Sequence, residues 1–96
     1  MFVYGSLIES RQRDFVVGRY VPSEGDVLKN YEKIAHPYFE VYPTIRPKDG
    51  ELVFGKTFKV NDEELKRLDN YETSHYKKIE VTLNSGKKAL AYTDVA

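Results

Sequence analysis

Apolar and polar residues alternate with a two-residue period over much of this chain, the signature of half-buried strands. The clearest case is 77–83, where Ile79, Val81 and Leu83 take one side and Lys78, Glu80 and Thr82 the other. Residues 87–93 read as the strand that returns after a hairpin-like turn at Asn84-Ser85-Gly86. Met1 to Tyr4 is apolar and β-prone and runs straight into Gly5. Residues 51–60 predict a further strand, and 39–45 another, with Phe39, Val41, Pro43 and Ile45 on one side. Pro43 places the latter at an edge or a bulge. Lys48-Asp49-Gly50 is a turn signal between the two. The segment 27–34 fits a strand slightly better than a helix.

Two segments switch to helical spacing. Over 10–17, Ser10 is the N-cap candidate, Phe15 and Val16 supply an apolar side, and Gly18 is the stop. Asn61 opens the second helix with the capping-box pattern N-D-E-E, Glu64 being placed to reach back to the cap. Leu65 and Leu68 give it an apolar stripe, and its end is expected at Asp69 or Asn70. About six strands and two short helices predict an α+β fold: a small, mostly antiparallel, β-barrel-like sheet, rather than a doubly wound one.

Composition narrows what this fold can do. The chain has 96 residues, one domain's worth, spanning 1–96. Eight Tyr and five Phe supply much of the core bulk, and buried tyrosine hydroxyls need partners. Fifteen basic and fifteen acidic residues cancel, unlike the excess Lys and Arg of a nucleic-acid binder. No cysteine is present, which excludes disulfides and thiolate metal sites. No apolar run reaches the length of a membrane span, and no secretory leader is visible, so a cytoplasmic protein is expected. Two histidines, His36 and His75, are expected at the surface or in turns and are too few for a His-rich metal centre. Chemistry is left to carboxylates, hydroxyls and backbone.

Three places are candidates. At Tyr4-Gly5-Ser6-Leu7, a glycine directly after a strand lets backbone approach a ligand, and successive N–H groups form an anion cradle. The same residues also read as a plain strand-ending turn. Beyond the second helix, Glu72 beside Tyr71 is either a solvated loop carboxylate or one desolvated by ring surface into a general base. In strand 51–60, Lys56 shares a face with Leu52, Phe54, Phe58 and Val60. Either a bulge at Gly55 swings it outward, or that face lines a polar cavity. Tyr76 and Tyr92 are core-edge rings or pocket hydroxyls. Lys77-Lys78 and Lys87-Lys88 read as charged protection of sheet edges.

Taken in order, four pieces resemble the gamma-glutamylcyclotransferase-like family, which includes gamma-glutamylamine cyclotransferases and avirulence-induced-gene-like proteins. F-V-Y-G-S-L resembles its VYGTL opening, and Tyr42-Pro43-Thr44-Ile45 its YP-x-I segment. Residues 55–60 resemble its G-E-V-Y-x-V strand. Residues 65–72, with Tyr76 and Ile79-Glu80-Val81, resemble its L-x-x-LD-x-YE end. The resemblance implies a small barrel-like fold with a cavity, and release of 5-oxoproline and an amine from a small gamma-glutamyl compound. It implies no metal and no cofactor; with the balanced charge and no membrane-length apolar run, no nucleic-acid or membrane partner is expected, in a monomer or homodimer. Glu72 would be the acid/base, and the backbone of Tyr4, Gly5, Ser6 and Leu7 would hold the substrate's alpha-carboxylate, with Lys56 and Tyr76 as further binding residues. Three positions depart from the family pattern: Ser6 replaces threonine, Lys56 replaces glutamate and Thr73 replaces glycine. A non-catalytic metabolite-binding or interaction domain of the same fold is the alternative.

Overall fold

Residues 1–39 and 41–95 are described in the computed structural model. The order is β1 (Phe2–Val3), a 3-10 turn (Ser6–Ile8), α1 (Ser10–Val17), β2 (Glu24–Ala35), β3 (Pro43–Thr57), α2 (Asp62–Glu72), β4 (Tyr76–Thr82) and β5 (Lys88–Asp94). The strands form two antiparallel sheets, ordered β1-β3-β2 and β4-β5. The α+β class agrees with the sequence pattern, but the sheet does not close into a barrel. Where β3 meets β5, side chains take the place of a ladder among the described residues. Thr44 Oγ1 accepts from the Asp94 N–H at 2.9 Å, and Thr93 Oγ1 donates to the Ile45 carbonyl at 3.0 Å.

Two apolar clusters lie on opposite faces of β1, because successive strand residues point to opposite sides. Phe2 joins Tyr4, Leu28, Ile45, Val53, Val81, Leu83 and Ala91 between the sheets. Val3 joins Leu7, Val17, Val21, Phe58, Leu68 and Tyr92 under the helices. β1 is held as a short edge strand, with Phe2 opposite Thr57 and Val3 opposite Lys56. Phe58 N–H donates to the Met1 carbonyl at 3.1 Å, and the Met1 ammonium donates back to the Phe58 carbonyl at 3.0 Å.

The turn expected at Lys48-Asp49-Gly50 is not a chain reversal. β3 runs through it, merging the expected strands 39–45 and 51–60 into one. Glu40, inside the first, lies outside the described residues. The β2–β3 pairing skips from Lys29–Leu52 to Tyr31–Pro47, so Asn30 alone faces residues 48–51. The surplus is absorbed as a bulge: Asn30 takes φ 64° and Gly50 φ 84°, and Asn30 Oδ1 accepts the Gly50 N–H at 3.0 Å. The true reversal is at 36–42, where His36 N–H donates to the Tyr42 carbonyl at 2.8 Å.

The helices keep their expected starts and shift in detail. Asn61 and Glu64 make the reciprocal capping box, and α2 continues past Asn70 to Glu72. On α1 the N-cap position is Glu9 rather than Ser10, and Gly18 ends the helix at φ 93°. Its buried side is Arg13 and Val17, while Phe15 is 83% exposed. Arg13 is buried because the carbonyls of Leu7, Ile8 and Val21 all accept from its guanidinium.

Gly55 lets β1 approach β3. A Cβ there would lie 2.7 Å from Phe2 Cζ and would also run into the Val3 carbonyl oxygen. A Cβ on Gly25 of β2 would enter open space. Gly55→Ala is therefore expected to lower stability by ~1–3 kcal/mol through overpacking, with Gly25→Ala within ~0.5 kcal/mol of wild type. Urea denaturation of the two variants checks this; equal losses would contradict the close-approach role of Gly55.

Candidate active site

A cavity of about 310 Å³ opens where β1, α2 and the 36–42 reversal converge. That lies at the small end of the ~300–1,000 Å³ range of small-molecule sites. Its wall comes from residues 2–7 on one side and Tyr71, Glu72 and Thr73 on another. Phe39, Tyr42, Pro43, His75, Tyr76 and Tyr92 complete it. Two stretches nearly seventy positions apart thus share one hollow. They are joined directly as well: Ser6 Oγ and Tyr71 OH share a hydrogen bond of 2.7 Å, and Gln12 Nε2 donates to the same hydroxyl at 3.3 Å.

The loop after β1 turns immediately into the 3-10 turn, where Ile8 N–H bonds the Gly5 carbonyl at 3.1 Å and Glu9 N–H the Ser6 carbonyl at 3.3 Å. Among the described residues, the N–H groups of Gly5, Ser6 and Leu7 have no protein acceptor. Three consecutive N–H groups without an acceptor at the end of a strand are donors available to an anion. Gly5 also permits close packing, since a Cβ there would lie 3.0 Å from Pro43 Cγ. The Tyr4 hydroxyl donates to the Tyr92 carbonyl, which pins the loop to β5.

Glu72 ends α2 and is partly buried. Burial pushes its carboxyl up to about 7. No donor among the described residues reaches the carboxylate to offset that, and the C-terminal end of a helix disfavours an anion in the same direction. Asp69, one turn earlier, goes the other way. Burial raises it, but hydrogen bonds from Lys78 at 2.9 Å and the Tyr92 hydroxyl at 2.6 Å hold it below the usual range. The ring hydroxyls stay protonated. Burial lifts Tyr76 to about 12, and burial also raises Tyr4 and Tyr92, with the Glu72 charge adding to each. Tyr76 OH donates to the Pro43 carbonyl at 2.8 Å.

Of the residues singled out in the sequence, Tyr4, Gly5, Ser6, Leu7, Glu72 and Tyr76 line this cavity. Glu72 lies in the last turn of α2 rather than in a loop. Lys56 is not part of the wall. It pairs in register with Val3 and Gly25, on the same side of β3 as exposed Leu52 and Phe54, while Val53 on the opposite side is buried. There is no register shift at Gly55, so no bulge swings Lys56 outward; it is half-buried on β3, outside the cavity wall. His36 is not at the surface: it is 2% exposed, ringed by Tyr38, Phe39 and Tyr76 at 5.2–6.0 Å. His75 is exposed but sits on the cavity wall, edge-on to Phe39 at 4.7 Å.

The sequence pattern missed Phe39, Pro43 and Tyr42 as wall residues, because it assigned 39–45 to a strand. It also missed the pair that braces the β3–β5 junction. Arg46 grips buried Asp94 with both terminal guanidinium nitrogens, Nη1 to Oδ1, and Nη2 to Oδ2 at 2.8 Å, and Thr44 donates to the same carboxylate at 2.8 Å. Thr73, the residue after Glu72, holds φ 68°, a conformation that favours glycine and strains a β-branched residue.

A family model described as gamma-glutamyl cyclotransferase, AIG2-like, matches residues 1–96. The chain belongs to that family. It is 36% identical over 93 residues to AIG2-like protein C of Arabidopsis thaliana, covering 94% of this chain and 54% of that protein. It thus spans about half the length of this curated relative. A solution structure of an Arabidopsis thaliana protein is 28% identical with a TM-score of 0.77, covering 98% of this chain and 59% of the other. A structure titled gamma-glutamyl cyclotransferase shares the fold at 20% identity and a TM-score of 0.77, covering 98% of this chain and 64% of that one. This family member therefore has a gamma-glutamyl cyclotransferase-like α+β fold in which its family-pattern glutamate and its N-terminal loop line one cavity.

The raised Glu72 carboxyl has a stability consequence of definite sign. A folded-state value above the ordinary 4.5 means that the neutral group is tolerated and the anion is not. Relative to Glu72→Gln, wild type should be equally stable below about pH 4. It should lose ground progressively between about 4.5 and about 7, to a difference on the order of 3 kcal/mol above that. Denaturation curves at pH 4 and pH 8 measure it. A difference independent of pH would contradict a desolvated carboxyl.

Proposed function

We propose that this chain cyclises gamma-glutamyl compounds, releasing 5-oxoproline and an amine. The observation that carries the reading is the pairing, across one small cavity, of a proton acceptor near neutrality with three free backbone donors. The substrate's alpha-carboxylate lies on the N–H groups of Gly5, Ser6 and Leu7. The alpha-ammonium gives a proton to Glu72 and becomes a nucleophile. Its nitrogen attacks the gamma-carbonyl carbon and the five-membered ring closes; the bond to the leaving nitrogen breaks as Glu72 gives its proton to the departing amine, and the second proton of the ring nitrogen passes to the freed carboxylate and on to solvent, leaving the lactam N–H. The acid form made in the first half-step is the one needed in the second, and a carboxyl near 7 passes between both at neutral pH.

The enclosure supplies the rest. Holding the chain curled makes the attack intramolecular, and the Tyr4, Tyr71 and Tyr76 rings exclude water from the reacting atoms. Tyr76 and Tyr4 keep their hydroxyls bonded to backbone carbonyls, so they shape the cavity without competing for the proton. Ser6 keeps the hydroxyl of the threonine usual in the family and uses it to fix Tyr71.

Incubation with a panel of gamma-glutamyl amines and peptides, with chromatography of 5-oxoproline, tests the reading. Wild type is expected to turn over at least one member, with kcat/KM rising through about pH 7 as Glu72 ionises. Glu72→Gln is expected to lose at least ~100-fold in kcat while still binding substrate. Undiminished turnover by that variant would remove Glu72 from the chemistry. Ligand-dependent thermal stabilisation with no product from any member would leave a binding module instead.

A further inference from the structure

Arg13 is a cation that the fold buries without an anion beside it. It is 4% exposed, and no carboxylate among the described residues lies within ion-pair distance of it. The buried carboxylates Glu64 and Asp94, by contrast, each have an arginine partner. Burying a charge without a counter-charge is costly. What surrounds Arg13 instead is carbonyl oxygen: Nη1 donates to the Leu7 carbonyl at 3.3 Å and to the Ile8 carbonyl at 3.1 Å, and Nη2 to the Val21 carbonyl at 3.3 Å. Its Nε–H is buried and has no acceptor among the described residues. Arg13 is not part of the cavity wall.

Two of those carbonyls lead back into the N-terminal loop. The peptide that offers the Leu7 carbonyl also carries the Ile8 N–H, which donates to the Gly5 carbonyl at 3.1 Å. The peptide that offers the Ile8 carbonyl carries the Glu9 N–H, which donates to the Ser6 carbonyl at 3.3 Å. The peptides of the Gly5 and Ser6 carbonyls carry in turn the N–H groups of Ser6 and Leu7, two of the three donors left to an anion. In a trans peptide the C=O and N–H point to opposite sides, and no peptide among the described residues is cis. A carbonyl drawn to one side therefore turns its N–H to the other. Each hydrogen bond in such a chain also polarises the next, so the cation is felt at the far end. We infer that Arg13 is a positioning residue for anion binding: through two parallel relays it orients and polarises the Ser6 and Leu7 N–H groups, and the ligand's carboxylate supplies the counter-charge that the buried guanidinium lacks. A second cation sets the third donor in the same way, since Lys33 Nζ donates to the Tyr4 carbonyl at 3.3 Å and so fixes the peptide of the Gly5 N–H. The inference rests on the part of the cyclotransferase reading that places a carboxylate on these amides, and it holds whether or not turnover follows.

The test pairs 5-oxoproline with 2-pyrrolidinone, the same lactam ring without the carboxylate, in NMR titrations of the full chain. In wild type, 5-oxoproline is expected to move the Ile8 and Glu9 amides and the Arg13 Nε–H on the same saturation curve as the Ser6 and Leu7 amides, by smaller amounts. 2-Pyrrolidinone should leave Ile8, Glu9 and Arg13 unmoved. Arg13→Met keeps the bulk and removes the charge; it should weaken 5-oxoproline roughly five- to tenfold and change 2-pyrrolidinone less than about twofold. Arg13→Lys, which keeps the charge, should recover part of the loss. An equal loss for both compounds is what a merely structural arginine gives, and that result, or no loss for either, overturns the inference. So does a failure of 5-oxoproline to bind wild type. Where Arg13→Met does not fold, the wild-type titration decides: saturation at Ser6 and Leu7 with Ile8, Glu9 and the Arg13 Nε–H unmoved rejects the relay. Arg13-dependent binding with no turnover of any gamma-glutamyl compound supports the relay and removes only the enzyme, whereas turnover with Arg13-independent binding does the reverse.

Discussion

The close approach of two residues of strand to Gly55 is the constraint on which the rest of the molecule depends. Phe2 and Val3 are the whole of β1, yet they bury into both apolar clusters. Because Gly55 offers no Cβ, the Phe2 ring lies across β3 and the chain leaves the edge of the sheet aimed at α2. That exit direction sets the geometry of the cavity. Tyr4 reaches the Tyr92 carbonyl, the loop keeps three N–H groups without an acceptor among the described residues, and Ser6 meets Tyr71 in the last turn of α2. A shift of β1 by one residue would exchange the two clusters and turn the loop away from Glu72.

Around that constraint the protein sorts its buried polar groups by whether they have donors. Asp94 is paired by Arg46 and Thr44, and Glu64 by Arg19 and the backbone of Asn61; both brace element junctions. Asp69 is held ionised by Lys78 and Tyr92. Glu72, three residues further on, has no donor among the described residues, and burial raises it. Neighbouring carboxylates with opposite shifts are what separate a structural charge from an acid/base. The strained backbone at Thr73 lies beside the Glu72 carboxyl, and a glycine at that position would relieve it.

Much of this is legible in the residues. The capping box at Asn61 marks the start of α2, and the alternation of 77–83 marks β4 and the side it buries. Loop 4–7 and Glu72 stand out as candidates from their local chemistry and the family pattern. What the chain conceals is non-local. Lys48-Asp49-Gly50 carries a turn signal, but eleven residues of β2 pair along β3 and convert it into a bulge. Arg13 looks like a surface residue on its helix until three carbonyls from outside α1 converge on it. His36 is buried only because Phe39 and Tyr76 close over it. Alternation puts Lys56 on an apparent apolar face because Phe58, which helps define that face, lies past the end of β3.

The central claim is that one small carboxylate ligand bridges the loop amides and the desolvated glutamate. Amide chemical shifts of the full chain titrated with 5-oxoproline measure it directly. The largest changes are expected at Gly5, Ser6 and Leu7, with smaller ones at Tyr71, Glu72 and Thr73. Saturation at a common Kd with the loop amides unmoved, or with the changes elsewhere on the molecule, would contradict it.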